Sequence, residues 1–328
     1  MISKTRRTIL QTLATSTAGL MVGPLRAQEG WPTRQIRIVV PVAAGGIIDL
    51  VSRNLAEALR VPLGVPIIVE SRPGADHIIG TQFVAKSDPD GYTWLCGSVP
   101  FTTTPHLLSK PPFAPLQDFK PVALLATSPN VLVVPTTLGV RTIKELIALG
   151  RSKSDGLTYV NPGNGSSNHL GTEQLRAATD LAMTGILYKG QPPAVVDLLS
   201  GRVDFMVMSS SLATPHIKAG KLVPLASVAS QRLPQLPDVP TMKEVGFESV
   251  TVIPWFGILV PAATPGAIVE RIHREIRGAA ATDAYRAGID RIGAVPALDQ
   301  SSADFAAMLR AEYDQWPALF ERAGITKS

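Results

Sequence analysis

A chain of 328 residues has the length of two ordinary domains. Hydrophobic residues make up 45% and charged residues only 17%, which provides for a large core and excludes a disordered chain. The formal net charge of +5 is not a nucleic-acid signature: residues 1–27 hold Lys4, Arg6, Arg7 and Arg26 and no acid, so +1 remains without them.

Those first 27 residues read as an export signal. Basic residues precede an apolar run from Ile9 to Val22, which is shorter than the ~20 residues a membrane span needs. "TRRTILQ" also resembles a twin-arginine signal. The expected product is a soluble periplasmic protein, since no other segment has the apolar length to span a membrane. Cys96 is the one cysteine, so an internal disulfide is excluded. Its place in "YTWLCGS" predicts a buried, inert strand residue.

Strand-like and helix-like stretches then alternate. "QIRIVVPV" (35–42) predicts a strand and 49–60 an amphipathic helix. Residues 65–71 predict a second strand, 79–86 a helix and 92–98 a third strand. This βαβαβ order implies a parallel sheet flanked by helices. A second set starts at "PNVLVVP" (129–135). There Thr142 and Glu145 form a capping box, and Gly150 is expected to stop the helix they open. Gly201 and Gly220 stop two further helices. Thr264 as N-cap and Pro265 as first helical residue open a helix towards Ala281. A last helix spans about 303–323, with a break expected at Trp316-Pro317.

Two strand–loop–helix junctions stand out. "VVPVAAGGIIDL" places backbone N–H groups and the positive end of a helix dipole in a crevice, where an anion is the natural ligand. A tight connection explains the glycines equally well, and Asp49 reads as a cap for backbone N–H groups. "GNGSSNHL" (163–170) is the second junction. One of Ser166 and Ser167 is expected to cap the helix and the other to face a ligand. Two such junctions suggest one ligand held from both sides.

No G-x-S-x-G, G-x-x-x-x-G-K-[ST] or H-E-x-x-H motif occurs, and the histidines lack metal-ligand spacing. A rival reading is a periplasmic hydrolase using Ser166 or Ser167 with His169, although no third orienting residue is recognisable.

The chain resembles the substrate-binding proteins of tripartite tricarboxylate transporters, the Bordetella uptake gene or Bug family. The resemblance rests on "WPTRQIRIVVPVAAGGIIDLVSR", "IIVESRPGA", "AKSDPDGYTWLCGS", "DFKPVALLATSPNVLVV", "GNGSSNHL", "YKGQPPAVVDLLSGRVDFM", "PHIKAGKLVPLA", "LPDVPTMKEVGF" and "WFGILVPAATP". These run in family order from Trp31 onwards. The resemblance implies a type II periplasmic-binding-protein fold of the α/β class, with two domains around a ligand cleft. Domain 1 would comprise residues 28–129 and 254–328, domain 2 residues 130–253, with crossings near 128–131 and 252–255. It further implies a monomer that captures a small organic acid and delivers it to a membrane permease, without catalysis, cofactor, metal or nucleic acid. A ligand-presenting sensor of the same fold is an alternative.

The ligand-binding residues implied are Ala44, Gly45 and Gly46 with Ile47 and Ile48; Gly165, Ser166, Ser167 and His169; and Trp255 and Phe256. Departures from the family pattern add more. Ile47 and Ile48 stand where the family has small and hydroxyl residues. His77 and its neighbours replace a glycine-rich stretch. Val99 and Phe101 follow Ser98, and Met208-Ser209 replaces Asp-Asn. A lost hydroxyl removes a bond of ~1 kcal/mol, whereas a buried aliphatic side chain offers ~1.5–3 kcal/mol to an apolar ligand. The expected ligand therefore carries a carboxylate and an apolar or aromatic body.

Overall fold

β-branched runs form the strands and amphipathic stretches the helices between them. In chain order the elements are β1 (Ile36–Val40), α1 (Ile47–Leu63), β2 (Ile67–Ser71), α2 (Ile78–Ala85), β3 (Thr93–Gly97), α3 (Pro100–Leu107), α4 (Pro115–Asp118) and β4 (Phe119–Thr127). Then come β5 (Asn130–Pro135), α5 (Ile143–Ser152), β6 (Leu157–Asn161), α6 (Ser167–Thr179), β7 (Met183–Leu187), α7 (Gln191–Leu199), β8 (Met206–Ser209), α8 (Ser210–Lys218) and β9 (Leu222–Ser227). The last are β10 (Trp255–Pro261), α9 (Gly266–Ala280), α10 (Asp283–Arg291), β11 (Val295–Pro296) and α11 (Ser302–Arg322). This computed structural model describes residues 30–322 apart from 76, 189, 298 and 299, together with 325 and 327. The export signal read at 1–27 lies outside the described residues.

The largest sheet is six-stranded, in the order β11-β4-β10-β3-β1-β2. β1 pairs in parallel with β2 and β3, while β10 runs antiparallel to both β3 and β4. Both ends of the chain therefore build one sheet. The stretch between them carries a three-stranded antiparallel sheet, β8-β5-β9, and a parallel pair, β6-β7. The two connections between these parts lie side by side, with the Ser128 N–H donating to the Pro254 carbonyl at 2.9 Å. One core, around Trp255, Phe305 and Trp316, packs the six-stranded sheet against α11. Another, around Leu132, Phe205 and Leu225, fills the second part.

The capping box forms as expected: the Glu145 N–H donates to Thr142 Oγ1 at 3.2 Å, and Glu145 Oε2 takes the Arg141 N–H at 2.7 Å. Gly201 and Gly220 stand just past α7 and α8 with φ of 75° and 67°, the left-handed position that glycine fills at helix ends. Cys96 is buried, and its desolvation pushes the thiol up to about 12.

Three expectations are corrected. Gly150 does not stop α5, which runs on to Ser152. A Cβ at Gly150 would stand 3.0 Å from Leu157, so the glycine lets the helix approach β6. Pro265, not Thr264, is the N-cap of α9, because its ψ of 137° is extended. Pro317 does not break α11. A proline withholds one N–H from the helix ladder, but Trp316, Leu319 and Phe320 around it are buried in the core, and that packing holds the helix.

Candidate functional site

The strand directions assemble the site. β1, β2, β3 and β4 end on one edge of the sheet, and antiparallel β10 begins there. In sheet order from β2, that edge carries His77 after β2, Gly45–Ile47 after β1, Ser98–Pro100 after β3, Pro254 and Phe256 at β10, and Ser128 after β4. With Leu50 and Ile292 these residues form one wall of a cavity of about 460 Å³. The other wall comes from the second part of the chain: Asn130, Ser166, Ser167, Asn168, Gln191, Ser209, Ser211 and Leu212. This is the crevice beyond the carboxyl ends of strands where open α/β sheets bind ligands.

A larger depression of about 810 Å³, lined by Arg34, Arg37 and Arg72 among others, opens at the amino ends of β1 and β3. It stands at the wrong end of the strands, and its arginines are already engaged, Arg34 with Asp90 at 2.6 Å and Arg37 with Glu70 at 3.0 Å.

Among the described residues, no Asp, Glu, Lys or Arg lines the 460 Å³ cavity. Instead, the amino ends of α1, α2, α3, α6, α7 and α8 all reach it, through Gly46, His77, Val99, Ser166, Gln191 and Ser209. Each helix end offers N–H groups and a partial positive charge. These ends attract an anion without help from any cationic side chain among the described residues. Asp49 does not oppose this. It is 1% exposed, takes the Gly45 N–H at 2.9 Å and pairs with Arg53 at 2.9 Å. Burial pushes its pKa up, but those two bonds outweigh burial and hold it below the usual carboxylate range.

On the second wall the side chains bond one another in a directed chain. The Ser209 N–H donates to Gln191 Oε1 at 2.9 Å, and Gln191 Nε2 donates to Asn168 Oδ1 at 3.4 Å. Asn168 Nδ2 donates to Asn130 Oδ1 at 3.2 Å and to the Val207 carbonyl at 3.0 Å. Asn130 Nδ2 then donates to Ser167 Oγ at 3.2 Å. Each amide is oriented by its neighbour, so the Ser167 hydroxyl already accepts a bond and its proton is the one left to give. On the first wall, Ser128 Oγ is buried and has no partner among the described residues.

His169 serves the loop instead of the cavity. Its Nδ1 accepts the Gly165 N–H at 3.3 Å, while Nε2 stands 3.9 Å from Glu173. Burial lowers its pKa, so it is neutral at pH 7. Glu173 is held by Tyr159 at 2.7 Å and Arg176 at 2.8 Å. Ser166 is the helix cap: its Oγ accepts the His169 N–H at 3.3 Å and donates to the Gly163 carbonyl at 2.7 Å. No bond joins either serine hydroxyl to the imidazole, so the nucleophile–base pair of the hydrolase reading is not assembled.

Of the residues expected at the site, Gly45, Gly46, Ile47, His77, Ser98, Val99, Ser166, Ser167, Ser209 and Phe256 line the cavity. Ala44 is exposed in the loop beside it, and Gly165 lies behind, its carbonyl taking the Thr103 hydroxyl at 3.3 Å. Ile48, Phe101, Met208 and Trp255 are core residues, 4%, 2%, 0% and 1% exposed. Periodicity explains them. Met208 and Ser209 are strand neighbours and point to opposite faces, as do Trp255 and Phe256. Ile48 joins Val51, Ser52 and Leu55 on the buried face of α1, while Ile47 and Leu50 share the cavity side. Phe101 packs edge-on to Phe119, with ring centres 5.1 Å apart.

Sequence reasoning missed Leu50, Pro100, Ser128, Asn130, Asn168, Gln191, Ser211, Leu212, Pro254 and Ile292. Leu50 was open to detection, three residues after Ile47 on the same helix. Among the described residues, no group of three or more His, Cys, Asp or Glu stands close enough to hold a metal, and no helix is long and apolar enough to cross a membrane.

A cleft ringed by helix amino ends, in an α/β fold of this topology, defines a solute-binding protein of the type II periplasmic class. The chain matches the family described as "Tripartite tricarboxylate transporter family receptor" over residues 51–325 and belongs to it. A UPF0065 protein of Pseudomonas sp. strain P51, from the tcbD-tcbE intergenic region, is 34% identical over 322 residues, 96% of this chain and 93% of the relative. The periplasmic binding protein BugD is 33% identical with a TM-score of 0.78, over 91% of this chain and 100% of BugD. Rpa4515 of R. palustris, solved with adipate, is 31% identical with a TM-score of 0.79, over 91% and 100% of the two chains. The family and these neighbours are receptors and binding proteins, not enzymes.

Proposed function

We propose that this protein is an exported, monomeric receptor that captures an organic acid and hands it to a membrane permease of the tripartite tricarboxylate type. The observation that carries the reading is the cavity itself, where six helix amino ends converge and no charged side chain among the described residues competes. A carboxylate is anchored there by backbone N–H groups and the Ser167 hydroxyl. The rest of the ligand, an apolar chain or ring, lies against Ile47, Leu50, Val99, Pro100 and Phe256. Residues 28–129 with 254–328 form one closing body and 130–253 the other, hinged where Ser128 bonds Pro254. The family description supports the permease partner, and the basic, apolar leader supports the periplasm. The adipate held by the R. palustris relative supports an acid with a hydrocarbon middle.

A thermal-shift screen of residues 28–328 against aliphatic and aromatic acids tests this. At 100 times its Kd a ligand adds ~2.7 kcal/mol, a shift of a few degrees for a chain of this size. Acids with an apolar body are expected to shift the midpoint most. A chain that no acid stabilises, or one that consumes the acid, contradicts the reading.

A further inference from the structure

His77 is the N-cap of α2 and lines the cavity with φ of 75°. Among the described residues only Ala75, His77 and Asp180 are non-glycine residues with positive φ. Asp180 sits at the end of α6, where that conformation is ordinary. His77, at a helix start, has no such explanation. A side chain held in a disfavoured backbone conformation marks a position where surroundings or function override local preference. The loop is fixed in place: a Cβ at Gly80 would stand 2.9 Å from Pro41, so α2 is seated on the end of β1. The imidazole consequently stands beside the Gly45–Ile47 loop, at the β2 end of the row of loops that forms the first wall.

The ring has no hydrogen-bond partner among the described residues. Burial pushes it down to about 4, so at neutral pH it is uncharged. A neutral imidazole keeps one N–H to donate and one lone pair to accept. Of the described residues on this wall, Ser98 and Ser128 are the other polar side chains, while Ile47, Leu50, Val99 and Pro100 bring no hydrogen-bonding side chain.

We infer that His77 is a specificity-determining residue that hydrogen-bonds a second oxygen of the ligand, beyond its apolar middle, and so selects acids with a distal carboxyl or hydroxyl over those ending in a methyl group or a bare ring. This rests on the organic-acid reading of the cavity. The ring is partly exposed to the open cavity; a ligand that covers it without offering an oxygen leaves it unpaired, which is costly, so such a residue discriminates against that ligand.

Matched acids test it. Adipate against hexanoate, and 4-hydroxybenzoate against benzoate, differ only at the far end. Affinities are read by calorimetric titration of wild type, His77→Gly and His77→Asn. Wild type is expected to favour the oxygen-bearing member of at least one pair by tenfold or more. His77→Gly is expected to lose that preference while its ligand-free melting temperature stays level or rises, because glycine accepts the backbone conformation. His77→Asn, which also tolerates it and keeps a donor and an acceptor, is expected to restore part of the preference. A preference unchanged in His77→Gly, a wild type that binds acids without preferring the oxygen, or a glycine variant that melts several degrees lower each overturns the assignment of His77 alone. A wild type that binds no acid overturns the organic-acid reading, and this inference with it.

Discussion

The two walls of the cavity are built by opposite rules. The wall from the six-stranded sheet is mostly apolar among its described residues, with Ile47, Leu50, Val99, Pro100, Pro254, Phe256 and Ile292, and its polar side chains are His77, Ser98 and Ser128. The wall from the second part is polar in all but Leu212, and its amides are committed to one another. The second wall is thus a rigid template for a carboxylate, with Ser167 as the finished donor. The first sets the length and chemistry of the body attached to that carboxylate. Recognition of the acid and choice among acids are separable properties on separate elements.

The comparison can be broken most forcefully at Asn168. Asn168→Ala leaves Asn130 Oδ1, the Val207 carbonyl and Gln191 Nε2 without their partner in a buried setting. A loss of about 3 kcal/mol of stability is expected, read by urea unfolding with an unchanged slope. Ser167→Ala removes the finished donor and, with it, the acceptor of Asn130 Nδ2, so a smaller loss of stability accompanies the loss of affinity. It is expected to weaken every acid by about 2 kcal/mol, roughly 30-fold, with their rank order intact in titration.

Adjacent residues of α1 sharpen the contrast. Ile48→Thr puts a hydroxyl into the core and is expected to cost about 2 kcal/mol in melting experiments without altering ligand preference. Ile47→Thr is expected to leave stability alone and to weaken apolar acids by about 1 kcal/mol.

The smallest effect at neutral pH lies behind the apolar wall. Glu312 Oε2 accepts from Trp255 Nε1 at 2.8 Å and Thr102 Oγ1 at 2.9 Å, and these are neighbours of Phe256 and Pro100. Burial pushes the carboxyl up to about 7 from an ordinary 4.5, against the pull of those two bonds. The folded protein then keeps a proton that the unfolded chain has released, so its stability falls as pH rises from about 4.5 through 7. Glu312→Gln keeps the acceptor and removes the charge. Its melting temperature is expected to match wild type near pH 5 and to exceed it at pH 8.

Much of this was legible beforehand, for identifiable reasons. The β-branched runs, the Thr142–Glu145 box and the glycines after α7 and α8 act locally, so pattern alone places them. The ordered motifs from Trp31 onwards carried the fold. Sequence reasoning took both members of the pairs Ile47–Ile48, Met208–Ser209 and Trp255–Phe256, because which member faces the cleft depends on where each element packs. Ser128, Asn130 and Pro254 were missed because only the crossing of two distant connections brings them together. Pro317 misled because Trp316, Leu319 and Phe320 around it pack into a core built from distant parts of the chain, and that packing outweighs the one N–H a proline withholds.

The central claim is that a polar wall holds the acid while an apolar wall measures its body. Calorimetric titration of the wild-type receptor with straight-chain dicarboxylates, from succinate to suberate, tests it most directly. The account predicts that affinity rises with added methylenes, by up to ~0.8 kcal/mol each, until the body fills the wall. Tightest binding by succinate, with a steady decline as the chain lengthens, would contradict it and would return Ile47 and its neighbours to a purely structural role.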